Sequence, residues 1–351
     1  MLALFARFQS SPSKPEQAAA VTKLTKIRPS AEPESAKIQT VVAEPVKLSS
    51  EEILTSLKEA SKLSTELPAT RYTLGRLLSK GGFGEVYTCR HRSTNQEFVV
   101  KTSLAEEIGM VQREVAFLRI FQHPNIIAIE EAYMYPNKSS WIVVESMDGG
   151  DLYHLARFGG GWRAPIATYV AQQVLQALDY LHENSVVHRD IKLENVLWDS
   201  SGAIKLCDFG LATVLTKERP LGLRNCGTVG YRAPEIILAR PYDTKVDIWS
   251  LGVMLMTLIQ GQDQNWDLHK HAQGLARNYP VFEVPCDLDP ELKYYVLRML
   301  KRHPQNRASA RELLRDEYLV DTACDSLTFH LFTTKIRCWN VKREMEQKGF
   351  V

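Results

Sequence analysis

The 351-residue chain is 44% hydrophobic and 24% charged, the balance of a soluble globular protein, and is long enough for one large domain or two ordinary ones. A formal net charge of +2 gives no general case for binding nucleic acid or a membrane surface, so neither is an expected partner. The six cysteines (Cys89, Cys207, Cys226, Cys286, Cys324 and Cys338) form no C-x-x-C pair, which argues against a disulfide framework or zinc site and suits a reducing cytoplasmic or nuclear compartment.

In chain order, residues 1–48 are rich in Ala, Ser, Pro, Lys and Glu without an apolar period, and disorder is expected there. The opening "MLALFARF" is too short for a secretory signal. No acid precedes Glu16, but a single arginine in that stretch makes a mitochondrial presequence the lesser reading. Residues 49–67 read as an amphipathic helix: Ser49 and Glu52 have capping-box spacing, Ile53, Leu54, Leu57 and Leu63 give a partial apolar face, and Pro68 ends it. Whether this helix docks on the main domain is left open.

From Arg71 the pattern changes to short strands, "YTLGRLLSK", "EVYTCRHR" and "EFVVKTS". "EEIGMVQREVAFLRIF" then has helical spacing through Ile108, Val111, Val115, Leu118 and Ile120, and "WIVVES" is a further strand. From Asp151 onward helices dominate. The run "IWSLGVMLMTLI", Ile248 to Ile259, is far shorter than the ~20 residues of a membrane span and reads as a buried helix. A strand-rich part followed by a helix-rich part predicts two lobes with a ligand cleft between them.

Several strings then demand a chemical explanation. "HRDIKLEN", residues 188–195, crowds a histidine, bases, acids and an amide between apolar flanks, as a loop holding a base, a cation and a metal ligand would. "LLSKGGFGEVY" is a glycine-rich turn between strands, "FVVK" ends a strand on Lys101, and "IKLCDFGLA" places Asp208 thirteen positions after Asn195. "CGTVGYRAPE", "DIWSLGV" and "HPQNRAS" follow in order. Taken together, residues 71–320 resemble a eukaryotic-type serine/threonine protein kinase, with residues 321–351 as a C-terminal tail.

The resemblance implies an α+β bilobal fold, a β-rich N-lobe on a larger helical C-lobe, that transfers the γ-phosphate of ATP to Ser or Thr of protein substrates with Mg²⁺. It implies that Ser79, Lys80, Gly81, Gly82, Phe83, Gly84, Glu85 and Val86 cover the phosphates, with Ser79 standing where the family has its first glycine. Lys101 would hold the phosphates and be held by Glu114, with Glu106 and Glu107 as competing candidates. Glu145 and Met147 would read adenine behind Val144. Asp190 would be the catalytic base, Lys192 the phosphoryl-steadying cation, and Asn195 and Asp208 the metal ligands. Asp151 and Glu194 stand where an acid meets an upstream arginine of the substrate, against the plainer reading that Asp151 caps the helix "DLYHLARF".

Structural roles are implied as well: Thr228 near Asp190 and Lys192, an ion pair of Glu235 with Arg307, and Asp247 pinning the loop backbone. A non-catalytic scaffold of the same fold is the rival reading, disfavoured because Lys101, Asp190, Asn195 and Asp208 are all present. Arg189 in such a loop commonly pairs with a phosphothreonine, but "LGLRNCGT" carries Arg224 and Asn225 there. Basal activity without loop phosphorylation, with an acid such as Glu218 reaching Arg189, or control by a regulatory partner or the N-terminal segment is expected, against the plainer reading that Thr213 or Thr216 is a phosphosite in a shifted geometry. "FHLF", Phe329 to Phe332, resembles a hydrophobic docking motif, although ordinary packing is the preferred reading.

Overall fold

The computed structural model describes residues 49–65, 68–81, 84–135, 139–159, 161–216, 226–261 and 288–347. The expectations for residues 1–48 and for Gly82, Phe83, Glu218, Arg224 and Asn225 lie outside these.

Five strands build an antiparallel sheet in the order β1-β2-β3-β5-β4: β1 (Tyr72–Gly81), β2 (Gly84–His91), β3 (Glu97–Ser103), β4 (Ile129–Met134) and β5 (Ser140–Glu145). The two-residue period sorts its side chains. Phe98, Val100 and Val143 join a core with Tyr72, Cys89 and Tyr133 on one face. Val99, Lys101, Ile142 and Val144 point to the other, where the cleft lies. Helix α2 (Ile108–Ile120) packs on β4 and β5, with Val111 and Val115 against Ala132 and Ile142.

The preceding helix, α1 (Ser50–Ala60), has its capping box: the Ser49 hydroxyl accepts from the Glu52 N–H, and the Glu52 carboxylate accepts from Ser49 N at 2.8 Å. It docks against α2 and buries Ile53 completely. The helix stops at Ala60, well short of Pro68. Tertiary contacts recruit the residues that follow: Arg119 donates to Ala60 O and Lys62 O, and Ser64 forms a parallel bridge beside Tyr133 on β4.

The second lobe is helical. Helix α3 (Leu152–Gly159) precedes α4 (Ala164–Glu183), which packs on the very apolar α6 (Lys245–Gln260), reached after the short α5 (Pro234–Ile237). Every residue of α6 from Val246 to Leu258 is buried, as a helix apolar all round requires. Two of its buried hydroxyls are satisfied: Ser250 and Thr257 donate to Tyr231 O and Val253 O. Among the described residues no helix is long and apolar enough to cross a membrane.

Part of the segment read as a tail docks on this lobe. A helix spans Ser326–Gln347, and Phe329, wholly buried, meets Trp162, Tyr169 and Trp198. Ordinary packing therefore accounts for "FHLF".

Short strands frame the loops that matter. β6 (Gly150–Asp151), β8 (Val196–Trp198) and β9 (Ile204–Leu206) form one small sheet, and β7 (Val186–Val187) pairs with β10 (Thr213–Val214). Residues 188–195 run from β7 to β8 and residues 207–212 from β9 to β10, so both loops open at one edge, beneath the five-stranded sheet.

Candidate active site

A cleft of about 740 Å³, part of it open to solvent, lies between the lobes. Val86, Val99, Ile127, Ile142, Val144, Met147, Leu197 and Cys207 give it apolar walls, and its polar groups are Lys101, Glu114, Glu145, Asp151, Glu194 and Asp208. Apolar walls beside one lysine and five carboxylates suit a flat apolar ligand whose anionic part reaches Lys101 or a cation held by the carboxylates.

The glycine-rich hairpin roofs this cleft, with Gly81 opposite Gly84 in register. Gly84 has φ +149°, and a Cβ there would lie 1.8 Å from Thr102 O, so no other residue fits without moving β3. Ser79 pairs with Val86 and is buried; Lys80 reaches outward to Glu85 at 2.8 Å.

Lys101 is the hub of the charged end. Its Nζ lies 2.6 Å from Glu114 Oε2 on α2 and 3.5 Å from Asp208 Oδ1. Helix register selects Glu114, because Glu106 and Glu107 fall in the 3-10 turn Ala105–Glu107 before α2 begins. Burial works against the Lys101 charge, but the Asp208 and Glu114 carboxylates outweigh it and hold the ammonium protonated. Asp208 itself sits at φ +65°, in the left-handed region. The Phe209 side chain anchors that turn, stacked near Phe117 on α2 and edge-on to His188 at 4.8 Å.

Within the 188–195 loop, Asp247 does the pinning. Its carboxylate accepts the N–H groups of His188 at 2.9 Å and Arg189 at 2.8 Å, and contacts His182 Nε2 at 3.0 Å. Asp190 Oδ2 lies 2.9 Å from Lys192 Nζ, and Oδ1 accepts from both the N–H and the hydroxyl of Thr228. Lys192 also donates to the Thr228 hydroxyl at 2.6 Å. Burial would raise the Asp190 carboxyl, yet the Lys192 charge and the hydrogen bonds from Lys192 and Thr228 together hold it below the usual aspartate range. His188 is wholly buried, which lowers its pKa and keeps it neutral; its Nε2 contacts Cys207 O, a packing role.

Asn195 donates to the Asp190 carbonyl at 2.8 Å and to Asp190 Oδ2 at 3.0 Å. Its Oδ1 is buried without a hydrogen-bond partner among the described residues. A buried acceptor left so is expensive unless a ligand completes it. Asn195 and Asp208 are brought side by side by β8 and β9, where Cys207 N donates to Asn195 O at 2.9 Å. One amide oxygen and one carboxylate make the sparse hard-oxygen set that Mg²⁺ takes, the rest of its shell coming from phosphate and water, so the residues fit that ion.

Two expectations are refined. Asp151 does cap α3, accepting from His154 N and contacting His154 Nδ1, both at 2.8 Å, and it lines the cleft as well. Arg189 donates to Leu211 O at 2.7 Å and to the Tyr242 hydroxyl at 3.2 Å, and makes no ion pair among the described residues. Both acceptors are neutral.

Glu145 carries a side-chain role as well, accepting from Lys205 and from Ala128 N at 2.7 Å. Sequence reading missed the cleft walls Val99, Ile127, Ile142, Leu197 and Cys207. Strand alternation could have found Val99 and Ile142, each two residues from a site position; Ile127 lies in a loop with no period to read.

The comparisons agree with this geometry. Residues 72–319 match the protein kinase domain. The chain is 34% identical over 262 residues to CBL-interacting serine/threonine-protein kinase 15 of Arabidopsis thaliana, covering 71% of this chain and 61% of that one. It is 34% identical over 258 residues to CBL-interacting protein kinase 25 of Oryza sativa subsp. japonica (70% and 50%), and 32% identical over 279 residues to serine/threonine-protein kinase PAK 1 of Mus musculus (78% and 50%). The chain belongs to the eukaryotic-type serine/threonine protein kinase family. It spans half to about three-fifths of the length of these curated relatives.

Proposed function

We propose that the protein transfers the γ-phosphate of ATP to serine or threonine hydroxyls of protein substrates. The observation that carries this reading is the convergence of Lys101–Glu114, Asp208, Asn195 and the Asp190–Lys192–Thr228 cluster on one cleft. Asp190, anionic and held by Thr228, orients the acceptor hydroxyl and takes its proton as the oxygen bonds to phosphorus and ADP leaves. Lys192 steadies the phosphoryl oxygens, and Lys101 grips the phosphates above. Asn195 and Asp208 would hold Mg²⁺, which when bound neutralises phosphate charge. The purified full chain with ATP and a mixed peptide library is expected to label Ser and Thr only when Mg²⁺ is present. No Mg²⁺-dependent transfer would return the scaffold reading, and label on tyrosine alone would end the Ser/Thr assignment.

A finer preference belongs to the same proposal. Glu194 Oε2 is buried and has no partner among the described residues, burial raises the Glu194 pKa, and Asp151 lines the same cleft. A guanidinium from the substrate supplies the missing donors. Peptides with Arg upstream of the acceptor are expected to show about ten-fold higher kcat/KM than their Ala counterparts; equal rates sink the preference. CBL-interacting relatives are named for a partner, and we extend a regulatory partner of some kind to this chain.

The back wall gives a further expected result. Val144 faces Val99 across the ladder and lines the cleft, where a longer side chain would fill the space behind it. ATP-competitive inhibitors with bulky substituents are expected to lose about ten-fold or more in affinity on Val144→Met. Equal or tighter inhibition of the variant would place Val144 elsewhere in the ligand's surroundings.

A further inference from the structure

Helix α1 precedes the matched kinase domain, which begins at residue 72, yet it is built into the site's support. Ile53 is completely buried in the core that holds Phe117 and Phe121 of the α2 region and Phe209 of the Asp208 turn; Leu57 packs on the same core. Arg119, in the last turn of α2, donates to Ala60 O at 2.7 Å, tying the end of α1 to the end of α2. At its other end the Ser50 hydroxyl donates at 3.1 Å to the carbonyl of Leu215, seven residues beyond Asp208, and α1 touches the adjoining β10.

Helix α2 in turn carries both halves of the charged end. Glu114 holds Lys101, and Arg113 donates to Gly210 O at 3.1 Å, two residues past Asp208. One helix from outside the domain thus braces α2 on one side and the far end of the 208–216 segment on the other. Arg189, meanwhile, is engaged by the neutral acceptors Leu211 O and Tyr242 Oη, with no anion on it among the described residues. The brace is supplied from within the chain.

We propose that α1 is an intramolecular clamp that keeps α2 in the position that closes Lys101–Glu114, with Ile53 as its positioning residue and Ser50 coupling it to the segment after Asp208. This rests on the proposed kinase reading for its effect on rate, but its effect on α2 does not. A packed apolar side chain at zero exposure biases which arrangement of two helices is populated, so a charge there shifts that balance.

The test compares full-length wild type with Ile53→Asp, Ile53→Leu and Ser50→Ala, reading peptide phosphorylation and backbone hydrogen exchange together. For Ile53→Asp, kcat/KM is expected to fall about ten-fold or more and the amides of residues 111–118 to exchange about ten-fold or more faster, while α4 and α6 keep wild-type protection. Ile53→Leu is expected to restore both readings. Unchanged α2 exchange in Ile53→Asp, with or without a loss of rate, overturns the clamp; so does a uniform rise across α4 and α6, which would make Ile53 a general core residue. If Ile53→Asp does not fold, Ser50→Ala decides, since it removes only a hydroxyl: about three-fold faster exchange over residues 213–216 supports the coupling, and wild-type exchange there overturns it. A wild type that transfers no phosphate would sink the kinase reading, while the exchange measurements still judge the clamp.

Discussion

Asp208→Ala is expected to lower phosphoryl transfer by about a thousand-fold or more while the protein still folds cooperatively. The carboxylate is one of the two candidate oxygen ligands beside Asn195 and one of two anions holding Lys101, so both metal and phosphate lose a partner. Its contribution to the core is small, because Phe209 and not Asp208 fills the space behind the turn. Alanine tolerates φ +65° less well than aspartate, which costs about 1–2 kcal/mol of stability. Asp208→Asn separates the effects, since it keeps shape and turn preference and removes only the charge. Mg²⁺-dependent transfer to a Ser/Thr peptide, measured beside thermal unfolding, is the check. Either variant retaining a tenth of wild-type activity would show that Asp208 does not serve the metal.

The second large effect is on stability. Arg307→Ala is expected to destabilise the protein by about 3–5 kcal/mol, because it strands Glu235 in the interior without its counter-charge. Arg307 is fully buried: it donates to Glu235 Oε1 at 2.7 Å and Oε2 at 3.1 Å, to Lys245 O and to Lys301 O, and stacks over Trp249 at 5.1 Å. Lysine cannot reproduce that fork, so Arg307→Lys should recover only part of the loss. The double change Glu235→Gln/Arg307→Met should be milder than Arg307→Ala, since no bare charge is left inside. Urea unfolding measures all three. A loss below about 1 kcal/mol for Arg307→Ala would mean that water or a rearranged cation reaches Glu235.

The chemical groups of the site were legible because they are local in the chain. A base, a cation and a metal ligand within "HRDIKLEN" lie on one loop whatever the rest of the fold does, and Asp208 comes just after β9, the strand that pairs with β8 at the end of that loop. The ion pair of Glu235 with Arg307 was legible only through the family resemblance, as the two lie far apart in sequence. The helical run Ile248–Ile259 was readable because an all-apolar helix has nowhere to go but the interior.

Amino-acid order alone thus determined the element types and the groups held within single loops, because hydrophobic period and short spacing act over a few residues. Tertiary structure alone decided what crosses between elements. It chose Glu114 over Glu106 and Glu107 by the register of α2 against Lys101, and it ended α1 at Ala60 because Arg119 and β4 claim the backbone beyond. It docked the helix Ser326–Gln347 of the expected tail through Phe329, gave Arg189 the neutral oxygens of Leu211 and Tyr242, and placed Ile53 in one core with Phe117 of the helix that carries Glu114. An apolar face in a sequence states that a side must be buried. Which partner buries it depends on packing between residues far apart in the chain, where no local period reaches.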